Sequence, residues 1–231
     1  MTTLRVRRAE AAAFDPRFFE KSRLFWPIAP AARAFAECTD WPDPAALTRA
    51  LSPRARVALV AAAPRPRRQK TPADARPLYD ARIVLDRCVP TRERSWHDLL
   101  NALVWATFPR AKAALHERQL RALRARIVPG ATRLPDTRSR EHDALALIDE
   151  GGVVILESPD APARAIVFGH ALYEGLVLGV RAMIARAVVA NVTPLPANAD
   201  AQIALADEDL EARLRAPDLV PESLPRFALD A

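Results

Sequence analysis

Two pairs of residues have types and spacing that could do chemistry. His97 and Asn101 are four apart, and so are His170 and Glu174. At that spacing two side chains share one face of a helix. A His-x-x-x-Glu pair can ligate a metal or couple an acid to a base, although a hydrogen bond along a helix surface gives the same pattern. Both pairs interrupt runs that are otherwise apolar, "RSWHDLLNALVWATFPRAK" and "AIVFGHALYEGLVLG". A buried carboxamide without partners costs about 1–3 kcal/mol, so Asn101 requires hydrogen bonds, either to its own core or across a cavity. Asp143, beside His142, adds a carboxylate. Arg110 and Lys112 fall in the first turn after Pro109, where cations oppose the helix macrodipole, and an anionic ligand would relieve that.

The elements that must carry these groups follow from local signals. Ser95 and Asp98 form an S-x-x-D capping box, so a helix starts there, and Asp98 is explained by the cap. Trp96, Leu99, Leu100 and Leu103 make one apolar stripe of that helix, with Val104, Trp105 and Phe108 extending it. Pro109 starts the next helix, whose expected core stripe is Ala113, Leu120, Leu123 and Ile127. "DPRFFEKSRLFW" and "DPAALTRAL" each place Pro after Asp, the cap and first-turn arrangement of a helix start. The alternation of Ala81, Ile83 and Leu85 predicts a strand, and "REHDALALIDEGGVVILE" predicts a hairpin: Ala144–Ile148, a turn at Asp149–Gly152, then Val153–Leu156. "RAVVANV" predicts a further strand. In this reading Asp149 and Glu150 are ordinary turn residues.

The 34 Lys+Arg against 28 Asp+Glu give a net charge of +6 and a sequence pI near 10.1, which invites a polyanionic partner. The basic residues are nearly all Arg, scattered through an Ala- and Pro-rich chain, as a GC-rich coding sequence would produce. Aromatic residues make up 6% and belong mostly to apolar stripes, so a stacking platform for single-stranded nucleic acid is not expected. Nucleic-acid binding is therefore expected to be weak or absent. The densest basic cluster, "PRPRRQK", lies in a Pro/Arg-rich connector over residues 61–77. Cys38 and Cys88 lack the neighbours of a zinc motif and cannot form a multi-bridge framework, which points to a reducing compartment. No run of about 18 apolar residues or signal-peptide core is present, so a cytoplasmic protein with no membrane partner is expected. G-x-S-x-G, P-loop and dinucleotide-binding motifs are absent too.

Several stretches, "YDARI", "VPTRERSWHDLLNALVWATFPRAKAALH", "DALALIDEGG" and "FGHALYE", resemble a bacterial family known as domain of unknown function number 3025. The likeness runs from Tyr79 to Glu174. The residues that recur in that family fall here on Arg94, Trp96, His97, Asp98, Asn101, Phe108, Pro109, Arg110, Lys112, Asp143, Asp149, Glu150, His170 and Glu174. The chain departs from the family in a shorter stretch before "FGHALYE" and in its tail after Pro196. The resemblance implies no established activity.

The expected architecture is α+β, a mainly helical single domain over residues 1–231 packed on a small, mostly antiparallel sheet, with a polar C-terminal segment from 196 to 231. The chemistry that remains is acid–base catalysis or metal-assisted hydrolysis of an anionic, phosphate-bearing substrate. His97, His170, Glu174 and Asp143 would do the chemistry and Asn101, Arg110 and Lys112 would hold the ligand, with a divalent metal as the cofactor this set admits. A nucleic-acid-binding module and a non-catalytic scaffold with buried polar pairs are the alternatives. Convergence of His97, His170 and Glu174 on one place separates a ligand site from a scaffold.

Overall fold

The computed structural model describes residues 13–62, 78–128, 137–217, 219–220 and 223–230. The leading segment winds through short 3-10 turns at Phe18–Glu20, Arg23–Phe25 and Arg33–Phe35 around a single-turn helix, α1 (Ala29–Ala32). Its aromatic rings anchor it. Phe18 meets Trp96 edge-on at 5.2 Å, and Phe25 stacks on Tyr173 at 5.6 Å. Helix α2 (Pro44–Ala55) starts where Asp43 accepts a hydrogen bond from the Ala46 amide, with Pro44 in its first turn. Strand β1 (Ala58–Ala61), helix α3 (Tyr79–Asp86) and strand β2 (Cys88–Thr91) follow, β1 and β2 pairing in parallel.

The site-bearing part is built from α4 (Trp96–Thr107), α5 (Pro109–Arg124), α6 (Arg140–Gly151), β3 (Gly152–Ser158), β4 (Ala161–Val167) and α7 (His170–Val177). The chain closes with β5 (Ala182–Asn191), α8 (Ala199–Arg215) and β6 (Arg226–Asp230). The larger sheet has the order β4-β3-β5-β6, antiparallel at both edges and parallel between β3 and β5. Val153 and Val154 of β3, with Val188 of β5, are buried in an apolar cluster that runs from Phe18 to Leu229.

The α+β class is as expected, but the sheet is mixed, not mostly antiparallel, and two elements change type. Residues 79–86 form a helix, not a strand. Ala81 packs beside Leu120 whereas Ile83 joins the main cluster, so a short helix wedged between two neighbours buries positions two apart and imitates a strand. Residues 140–151 are likewise helical. Ser139 accepts from the His142 amide at 3.1 Å, Glu141 and Asp143 sit in the dipole-favoured first turn, and Ala144, Leu145 and Ile148 are buried at helical spacing. The uninterrupted run "ALALI" carries no polar residue to mark its period. The expected hairpin is therefore not formed, and the antiparallel partner of β3 is β4, which follows it. Helix α6 passes into β3 without a loop, and a Cβ at Gly152 would lie 2.5 Å from the Ile148 carbonyl oxygen.

The buried face of α5 also departs from the expected stripe. Lys112, His116, Arg118 and Gln119 are buried with Ala111, Leu115 and Leu120, whereas Ala113, Leu123 and Ile127 are only partly covered. Of the connector at 61–77, Ala61 ends β1, and residues 63–77 lie outside those described. The C-terminal segment is more ordered than a polar tail, since α8 buries Ala206, Leu210 and Leu214 and β6 adds an edge strand.

Helix α5 has no side-chain cap from its own preceding residue. Asp207 of α8 supplies one, accepting from the Ala111 amide at 2.8 Å and the Arg110 amide at 3.2 Å. Asp207→Ala is expected to lower stability by about 0.5–2 kcal/mol, read as a shift in the urea midpoint. An unchanged midpoint would show that the cap contributes nothing.

Candidate metal centre

Three helix ends meet at the imidazoles. The Ser95 hydroxyl accepts from the Asp98 amide at 3.3 Å and so starts α4, placing His97 at its second position. The Asp98 carboxylate accepts from the Arg92 amide and guanidinium and not from the Ser95 amide, so only the Ser95 half of the expected capping box forms. His170 is the first residue of α7, and Glu174 is one turn further on. Glu150 is the penultimate residue of α6. Gly169 lets these ends approach. A Cβ there would stand 2.5 Å from the Glu150 carbonyl oxygen and the Gly151 nitrogen, so any larger residue would push α7 off the end of α6.

Within this junction the Nε2 atoms of His97 and His170 face each other at 3.0 Å, with the rings nearly perpendicular at 78°. His97 Nδ1 lies 3.2 Å from Glu174 Oε2, and His170 Nε2 lies 3.5 Å from Glu150 Oε2. Potential ligand atoms of His97, Glu150 and His170 all fall within 4.8 Å of one another. His170 is the buried floor of the site. The side chains of His97 and Glu150 are 30% and 46% exposed and form its open side.

The electrostatics separate the two imidazoles. Burial opposes charge on His97, but the hydrogen bond it donates to Glu174 and the charges of Glu150 and Glu174 outweigh it and raise its pKa. Burial dominates at His170 and holds its pKa well below the ordinary value, against the opposing pull of Asp149. His97 Nδ1–H donates to Glu174, and the two facing Nε2 atoms share one hydrogen between them. Burial also raises the Glu150 carboxyl, partly offset by His97.

A second layer of polar groups lies behind the imidazoles. Lys112 is completely buried, and its ammonium donates to the Asp149 carboxylate and, at 2.8 Å, to Asn101 Oδ1. Asn101 Nδ2 donates to the Tyr79 oxygen at 3.0 Å. Burial alone would raise the Asp149 pKa, but Lys112 pulls it well below the carboxylate range. His170 Nδ1 is buried against the Asp149 backbone without a well-formed hydrogen bond. A neighbouring cluster places His116 Nδ1 2.9 Å from one Asp80 oxygen, with His142 Nε2 3.9 Å from the other.

The structure thus brings His97, His170 and Glu174 together, with Asn101 and Lys112 one layer deeper. His170 and Glu174 both reach His97 and are linked through it. Two residues predicted for the site stand apart. Asp143 is an exposed first-turn residue of α6, and Arg110 pairs with Glu211 at 3.2 Å and Glu208 at 3.6 Å. The cations expected to receive an anion therefore already have carboxylate partners in the chain. Glu150 and Asp149 were hidden by the turn-like sequence "DEGG", and their one signal was recurrence in the resembling family. Two surface clefts lie away from the imidazoles, one beside the ends of β3 and β5 and one between α8 and the leading segment.

Asn101→Ala is expected to lower the melting temperature more than His97→Ala. Asn101 is buried and serves two partners, at about 1–3 kcal/mol for groups left unpaired, whereas His97 can recover water. Thermal melts of both variants check the order, and a larger loss for His97→Ala would make His97 the structural residue.

Among the described residues no helix is long and apolar enough to cross a membrane. No curated protein matches the chain, and no solved structure does. A family model described as "Protein of unknown function (DUF3025)" matches residues 67–164, a span that includes His97, Asn101, Lys112, Asp149 and Glu150 but ends before His170 and Glu174. Over that span the chain resembles the DUF3025 family.

Proposed function

We propose that His97, His170 and Glu150 bind one divalent transition metal and that the protein is a metal-dependent hydrolase. The convergence of two imidazole Nε2 atoms and one carboxylate within 4.8 Å carries this reading. Zinc–nitrogen bonds are about 2.0–2.1 Å, so two imidazoles sharing an ion stand roughly 3–3.5 Å apart, and His97 and His170 already stand at 3.0 Å. Glu174 on His97 Nδ1 is the outer carboxylate that commonly fixes the orientation of a metal-bound imidazole. Two His and one carboxylate leave a coordination position for water, whose pKa zinc lowers to about 7. His170, neutral and buried, offers its Nε2 lone pair from below. His97 does so in its neutral form, with Nδ1–H bonded to Glu174. Because Lys112 and Arg110 are engaged by Asp149, Glu208 and Glu211, the anionic substrate of the sequence reading gains no support from them.

Zinc-loaded protein should hydrolyse activated p-nitrophenyl esters faster than the same concentration of free zinc, with the excess removed by a chelator and by His170→Ala. Equal rates for the wild type and His170→Ala would rule out hydrolysis at this site.

A further inference from the structure

Four successive helices each contribute one group to an unbroken hydrogen-bonded path behind the imidazoles. Tyr79 comes from α3, Asn101 from α4, Lys112 from α5 and Asp149 from α6. Lys112 is its centre, and its ammonium also stands 5.5 Å from the middle of the Trp105 ring. Burying an ion pair is a poor way to gain stability, because well-packed apolar residues of similar volume often do as well or better. Something other than stability must account for this pair, and its position suggests what. Asp149 directly precedes Glu150, and Gly169 presses the start of α7 onto the same turn, against the Glu150 carbonyl and the Gly151 nitrogen. A change in where Lys112 holds Asp149 therefore moves one proposed ligand through the chain and another through contact.

Resting on the metal-site reading above, we infer that the Tyr79–Asn101–Lys112–Asp149 path is the positioning frame of the metal centre. It holds the end of α6 and the start of α7 so that Glu150 and His170 face His97. Lys112 and Asp149 are positioning residues, since neither meets the metal. The frame converts the packing of four helices into ligand geometry, in the way outer-shell hydrogen bonds orient ligands in metal sites generally.

The test is the Zn2+ affinity of the chelator-stripped full-length protein, measured by competition with a chromophoric chelator, alongside melting temperature. The double variant Lys112→Met/Asp149→Leu removes both charges together and should melt near the wild type. Its Zn2+ affinity should fall about ten- to a hundredfold. Tyr79→Phe removes only the oxygen that anchors Asn101 and should weaken Zn2+ binding in the same direction with the fold intact. Asp43→Ala, which uncaps α2, a helix that contributes no residue to the frame, should lower the melting temperature and leave the affinity unchanged. Native affinity in the double variant overturns the inference, as does native affinity in Tyr79→Phe should the double variant fail to fold. An equal loss in Asp43→Ala overturns it too, because general loosening would then explain the effect. If the wild type binds Zn2+ and the variants match it, the frame alone fails. If the wild type binds none, the metal reading fails and this inference falls with it.

Discussion

Lys112→Met is expected to destabilise the protein by about 3–5 kcal/mol, the cost of leaving a buried charge without its partner. The lysine side chain is wholly inaccessible, so water cannot replace the ammonium lost from Asp149 and Asn101. Methionine fills much of the lysine stem, which keeps the cavity contribution small. Urea denaturation reads the loss directly, and a change below about 1 kcal/mol would mean that Asp149 has found water or a proton at little cost. The expected contrast with the neutral double variant, which removes both charges, sets this pair apart from a packing defect: one half-removed is worse than both removed.

His170→Ala is expected to weaken Zn2+ binding by at least about a hundredfold, the upper end of what losing a mere outer-shell partner costs. His170 is the only fully buried member of the His97, Glu150, His170 group, so solvent cannot supply a replacement ligand from below. Glu174→Gln should be milder. An amide oxygen still accepts the Nδ1 proton of His97, but without the charge that makes the imidazole a better donor to a metal. A loss in Glu174→Gln as large as that in His170→Ala would make Glu174 a ligand and not an orienting group. Competition titration of both variants decides between these outcomes.

Much of the local structure was legible in the residues. Ser95 with Asp98, Pro109 and the Asp43-Pro44 pair each start a helix where their chemistry requires one. The spacing of His170 and Glu174 placed them on one helix face. What that spacing could not give was their common neighbour: His97 arrives from 73 residues away, and only the packing of α4 on α7 brings it there. Asp149 and Glu150 were illegible for a different reason. A D-E-G-G run has the composition of a turn, and its role as a helix end depends on Ser139 starting α6 and on the close approach that Gly152 and Gly169 permit. Asp80 and His116 form a hydrogen-bonded pair 36 residues apart, with no motif to announce it. Arg110 shows the opposite limit. A first-turn cation suggested an anion, and the anion proved to be carboxylates on α8, whose distance in sequence hides the match.

The central claim is that His97, His170 and Glu150 form one metal site, and the most direct measurement is a calorimetric titration of chelator-stripped protein with Zn2+. The account predicts a saturable isotherm with one equivalent bound per chain, lost in His170→Ala. An isotherm with no saturable binding, or one that His170→Ala leaves unchanged, would contradict it and leave the facing imidazoles as a buried structural pair.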